Sequence, residues 1–168
     1  MAELIPVRVR GLIMDDTNKS PIVILQEENG ERALPIWIGE AEARAIDTAL
    51  AKEEMERPMT HDLMARMLKS LKARVMAINI TSLKNNTFFA EIHIQAGGEQ
   101  ILVDARPSDS IALSLRTGAQ IMVSEEVLNS GLSAQEVSEP HTTEKEKRER
   151  LKKFLEDLDP KDFGKFGV

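Results

Sequence analysis

The chain has no cysteine and no tyrosine, and its 168 residues include one tryptophan and five phenylalanines. Without cysteine there are no disulfides and no thiolate metal sites, which suits a reducing compartment. So few aromatics leave little of the stacking platform on which single-strand nucleic-acid binding relies. Phe88 and Phe89 fall in a strand-like stretch, but alternation sends them to opposite faces. No apolar run approaches the ~20 residues needed to span a bilayer. The opening Met-Ala-Glu-Leu-Ile-Pro-Val-Arg lacks a basic segment followed by an apolar signal core. A cytoplasmic protein with no membrane attachment is therefore expected. Gly-rich phosphate loops, nucleophile elbows and zinc spacings are also missing.

A basic excess is lacking as well. The net charge is −6, from 22 Lys/Arg and 28 Asp/Glu. From Glu144 onward eight basic residues face seven acidic ones, which leaves 14 basic and 21 acidic residues for positions 1–143, a net −7. Nucleic-acid binders draw most of their affinity from neutralising phosphates. Any partner of that kind has to be met here by metal ions or by a local patch made on folding or association.

What the chain does have is a strongly patterned organisation. Alternation and turn residues predict strands over 4–14, 21–26 and 32–38, with Asn29-Gly30 as a hairpin signal. Trp37, between Ile36 and Ile38, reads as core or interface. An Ala-rich helix is expected from Glu40 to Met55. A second helix, capped by Thr60, carries the stripe Leu63, Met64, Met67, Leu68, Leu71. A second set of strands follows over 75–83, 87–95 and 100–103, turned by Asn85-Asn86 and Gly97-Gly98. Ser108 is the expected cap of a third helix that stops at Gly118. A last strand over 120–124 and a short helical turn from Glu125 to Leu128 complete the outline.

Two three-stranded meanders, each feeding helices, predict an α+β fold with a mixed or antiparallel sheet and helices packed on one side. Residues 1–130 form the expected domain, and 131–168 a charged helical tail. In the tail Thr143-x-x-Glu146 is a capping box, and Leu151, Phe154, Leu155 and Leu158 make the one apolar stripe. Apolar residues on both faces of 87–95, together with that sparse stripe, leave apolar surface after one chain folds. A homodimer is the expected remedy.

The chemistry-bearing residues gather at helix starts. Glu40 and Glu42 open the first helix, and Thr60, His61 and Asp62 open the second. Asp104 and Asp109 flank the start of the third, with Arg106 between them. One reading brings these loops together as an oxygen-rich site for Mg²⁺ or Mn²⁺, the hard cations that carboxylates favour. His61 would then shuttle a proton, and Arg106 or Arg44 would hold a phosphate. The plainer reading is that acidic residues at helix N-termini offset the helix dipole. Arg106 alone could also balance the carboxylates as a structural ion-pair cluster. Among the other candidates, His93 reads as an exposed strand residue, His141 lies beside the tail's cap, and Ser114 has no His or Asp in a defined relation to it.

Three stretches add a resemblance. Asp104-Ala-Arg-Pro-Ser-Asp-Ser-Ile-Ala-Leu113 resembles the signature of the bifunctional nuclease domain family. Leu34-Pro-Ile-Trp-Ile-Gly-Glu-Ala-Glu-Ala43 and Arg57-Pro-Met-Thr-His-Asp-Leu63 agree with it, in the family's order. The resemblance spans roughly residues 1–130. It implies a metal-dependent nuclease acting on DNA and RNA, with Glu40, Glu42, His61, Asp62 and Arg106 in catalysis and Asp104, Asp109 and Glu42 on the metal. The alternative is a non-catalytic dimeric binding or regulatory module with an acidic ligand or metal site, which the negative core favours.

Overall fold

Seven strands and four helices follow one another along the chain in a computed structural model that describes residues 3–15, 19–28 and 32–131. They are β1 (Leu4–Asp15), β2 (Ser20–Glu27), β3 (Ala33–Trp37), α1 (Glu40–Leu50), α2 (Thr60–Ser70), β4 (Arg74–Lys84), β5 (Thr87–Ala96), β6 (Glu99–Ala105), α3 (Pro107–Thr117), β7 (Gln120–Ser124) and α4 (Glu125–Gly131). All seven strands join one mixed sheet in the order β3-β2-β1-β7-β4-β5-β6. Every neighbouring pair is antiparallel except β4 and β7. β7 thus enters between the two antiparallel runs, and α3 is the connection that carries the chain back to it.

The turns have direct local causes. Asn85 and Asn86 take φ of 49° and 58° between β4 and β5, and Gly97 and Gly98 take 55° and 88° between β5 and β6. Two-residue hairpins need such left-handed pairs, because their twist matches that of the strands. Gly118 ends α3 at φ 73°, with its N–H donating to the Ser114 carbonyl. The Ser114 hydroxyl donates to the Ala119 carbonyl at 2.7 Å, so this side chain serves the same helix end.

The core joins one set of alternating strand residues to the inner faces of the helices. Val7, Leu12, Val23, Leu25, Ile78, Ile80, Ile121 and Val123 pack with Ala43, Ile46, Ile111, Ala112, Leu113, Val127 and Leu128. Burying each large aliphatic side chain contributes about 1.5–3 kcal/mol. The small residues of α1 and α3 let those helices lie close together, and that closeness brings their N-termini within side-chain reach. No helix among the described residues is long and apolar enough to cross a membrane.

Several expectations are corrected at element ends. α1 stops at Leu50 rather than Met55, because Lys52 turns left-handed (φ 53°) at the start of a polar run with nothing to bury. Met59, not Thr60, is the N-cap of α2, and its N–H donates to Asp62 Oδ2 at 2.9 Å. Arg106, not Ser108, is the N-cap of α3, since Pro107 has a preset φ and no N–H to satisfy, which suits the first helical position. β6 runs to Ala105 and so takes Asp104 into a strand. His93 is half-buried rather than simply exposed, and its Nε2 lies 2.9 Å from Asn79 Nδ2. The Asn29-Gly30 turn, His141, and the tail from residue 132 on, with its capping box and apolar stripe, lie outside the described residues.

Candidate active site

Three helix N-termini meet through one arginine–aspartate pair. Arg106 caps α3, and its Nε donates to Asp109 Oδ2 at 2.7 Å. Its Nη2 lies 2.9 Å from Glu42 Oε1, in the first turn of α1. The other oxygen of Asp109 lies 2.9 Å from His61 Nε2, in the first turn of α2. Glu42, Arg106, Asp109 and His61 therefore form an unbroken chain across α1, α3 and α2. Gly39 contributes by absence: a Cβ there would stand 2.3 Å from Glu42 Oε2, so a side chain would displace the carboxylate from its place.

Exposure along the chain is graded. The Arg106 side chain is 65% exposed, Asp109 25%, Glu42 19% and His61 8%. Arginine thus presents its outer edge to solvent, and histidine sits at the inner end. Partial burial pushes the Asp109 carboxyl upward, but the hydrogen bonds from Arg106 and His61 outweigh it and hold the group below the ordinary carboxylate range. Arg106 is held more firmly protonated, first by its hydrogen bond and charge interaction with Asp109 and then by Glu42.

Asp62 faces another way. Its Oδ1 pairs with Arg116 Nε, and this bond is the main reason its carboxyl lies below the usual range. Arg116 Nη1 also donates to the Ala45 carbonyl at 3.0 Å and the Ala112 carbonyl at 2.8 Å. This largely buried arginine ties α1, α2 and α3 together one layer beneath the chain described above. Sequence reasoning passed over it. The signal was there: Arg116 continues the row Ser108, Ala112 at intervals of four, so a charge sits on a buried stripe and must have partners.

Glu40 and Asp104 do not enter this group. Both are exposed, and neither side chain has a hydrogen-bond or ion-pair partner among the described residues. Asp104 sits on β6 opposite Glu91 of β5. Arg44 is exposed on α1. As arranged, the donors do not fit Mg²⁺ or Mn²⁺. Both grouped carboxylates are engaged by Arg106, and a hard cation needs several oxygens with room for near-octahedral water. Among the described residues no group of three or more His, Cys, Asp or Glu is disposed to hold a metal ion.

The three stretches that build this site fall inside a longer match. Residues 23–136 match the model of the bifunctional nuclease domain. The chain belongs to the bifunctional nuclease domain family. It is 38% identical over 161 residues to an uncharacterised protein of Mycobacterium tuberculosis, covering 94% of this chain and 96% of that one. It is 24% identical over 124 residues to bifunctional nuclease 1 of Oryza sativa subsp. indica, and 25% over 118 residues to bifunctional nuclease 2 of Oryza sativa subsp. japonica. Those matches cover 71% and 68% of this chain but only 38% and 36% of the rice proteins.

Proposed function

We propose that this chain hydrolyses phosphodiester bonds of DNA and RNA at the convergence of α1, α2 and α3. The observation that carries the reading is the Arg106–Asp109–His61 relay, which runs from solvent inward within the family's domain. The exposed edge of Arg106 takes a phosphate oxygen, a planar match that arginine makes better than lysine. Asp109 accepts a hydrogen bond from His61 Nε2 and so leaves Nδ1 as the basic nitrogen. Nδ1 takes a proton from a water as its oxygen attacks phosphorus, and the departing ester oxygen recovers a proton from the imidazolium. Glu42 holds Arg106 from the α1 side. The contribution of Mg²⁺ or Mn²⁺, expected from the carboxylates, is tested directly below.

A second reading has its own observation. Glu42 and Asp109 both spend their charge on Arg106, as in a structural ion-pair cluster at the hub of a non-catalytic binding or regulatory module. One assay separates the two. Wild type, His61→Gln, Asp109→Asn and Arg106→Gln are purified identically and given single-stranded DNA and RNA with Mg²⁺, with Mn²⁺ and with chelator. The nuclease reading expects about a 100-fold or greater loss in the His61 variant, in line with removal of a positioned base. Cleavage that persists in all three folded variants, or none in the wild type under any condition, sinks it and leaves the binding module.

A further inference from the structure

β6 ends the sheet, and none of the described residues covers its outer edge. Its residues from Glu99 to Asp104 are all exposed, including Leu102 at 59%, Ile101 at 43% and Val103 at 39%. Edge strands of natural proteins are usually blunted by lysine, proline, a bulge or a covering element, because their unpaired N–H and C=O groups invite another strand. β6 has no lysine and no proline, and it pairs with β5 without a register shift. Three consecutive apolar residues on such an edge need a cover.

We propose that the cover is β6 of a second copy, paired antiparallel about a two-fold axis at Leu102. The sequence selects that register. A two-fold axis perpendicular to an antiparallel pair must set one residue against its own copy. With Leu102 on the axis, Ile101 faces Val103 of the second copy, Gln100 faces Asp104, and Glu99 faces Ala105. Apolar residues then meet apolar ones, and the Gln100 amide can donate to the Asp104 carboxylate. Centring on Ile101 would set Glu99 against Val103, and centring on Val103 would set Leu102 against Asp104. Within each copy Val103 pairs with buried Ile92 and Ile101 with Ile94, so both lie on the core-facing side and extend the core across the junction. Leu102 meets its own copy on the other face. The two seven-stranded sheets become one of fourteen, and the edge disappears.

Light scattering on a sizing column at tens of micromolar should give twice the 18.8 kDa chain mass. Leu102→Lys should give the monomer mass with an unchanged far-ultraviolet spectrum. The chain has no cysteine, so single cysteines report the register. Directly opposed Cβ atoms lie about 4.5–5.5 Å apart and diagonal ones about 7–8 Å, and a disulfide needs roughly 3.5–4.5 Å. Leu102→Cys should therefore cross-link under mild oxidation at least tenfold faster than Ile101→Cys or Val103→Cys. A monomeric wild type, a dimer that survives Leu102→Lys, or fastest cross-linking at position 101 or 103 overturns the proposal. Activity on nucleic acid has no bearing on any of these outcomes.

Discussion

Replacing Arg116 with methionine removes one positive charge from beneath the three helix starts while keeping most of the side chain's packing volume. The Arg116 side chain is 11% exposed and supplies the partner for Asp62 along with donors to the Ala45 and Ala112 carbonyls. A hydrogen bond to a charged group contributes about 1.5–3 kcal/mol and each neutral one about 0.5–1.5. The three together come to roughly 2.5–6 kcal/mol, which brackets the approximately 3–5 seen when one partner of a buried pair is removed. Asp62 is 29% exposed, so water recovers part of its loss and the lower end is expected. Typical domains are stable by about 5–15 kcal/mol, so the variant should fold but melt roughly 10 °C lower.

Urea unfolding at pH 7 reads this as a lower midpoint at unchanged slope. Arg116→Lys discriminates further. It restores the charge but not the fork that reaches a carboxylate and two carbonyls at once, so it should recover less than half of the loss. A methionine variant within about 1 kcal/mol of wild type would refute the reasoning, because Asp62 and the carbonyls would then have been served by water. Because Asp62 also caps α2 through the Met59 N–H, the same variant should loosen the start of that helix and, with it, the placement of His61.

Two smaller perturbations follow. Asp109→Asn removes the charge shared by Arg106 and His61. Its carboxyl is held below the ordinary aspartate range in the folded state, so its stabilisation is complete above the unfolded value and is lost as pH falls through the folded one. The stability gap between variant and wild type should therefore be widest at neutral pH and should close on acidification below about pH 4; a gap that stays constant with pH argues against the ion pair. Gly118→Ala should cost about 1–2 kcal/mol in urea unfolding, and Gly118→Asn less, because φ is 73° and nothing lies within 4 Å of an added Cβ, which leaves only backbone strain. Equal losses in the two variants would mean that something other than φ is at stake.

The strands were legible because both signals that define them are local. The alternation Val7, Val9 against Arg8, Arg10, and the Asn85-Asn86 and Gly97-Gly98 pairs, each act over a few residues, and β7 spans Gln120–Ser124 as expected. The caps of α2 and α3 lie one and two residues before the expected hydroxyls, because neighbouring chemistry outweighs a hydroxyl cap there. At α3 the pyrrolidine of Pro107 decides the first turn, and at α2 Asp62 reaches back to serve the cap that Thr60 was expected to be. The position of β7 between β1 and β4 is set by pairings some 40 to 120 residues apart in sequence, and no short window carries that information.

Grouping at the site divides along the same physical line. Glu42, His61 and Asp109 come together because α1 and α2 both pack on α3, and small residues let them approach closely. Glu40 and Asp104 carry the same carboxylate chemistry but stay apart: Glu40 is one of the first exposed residues of α1, and Asp104 lies on a strand rather than in a loop. Sequence therefore revealed which residue types would stand at helix starts, and packing chose among them. It also put a single cation at the centre. A phosphate approaching Arg106 meets one positive charge flanked by two carboxylates, and at an effective dielectric near 20 each unit pair at 4 Å is worth about 4 kcal/mol. The attraction is nearly cancelled before substrate arrives. A nuclease built this way would bind its ground state weakly, and it would have to develop its advantage as Asp109 turns its charge from Arg106 toward an imidazolium at His61. Tight, salt-resistant binding of nucleic acid to the wild-type chain is the one behaviour that this arrangement of charges does not support.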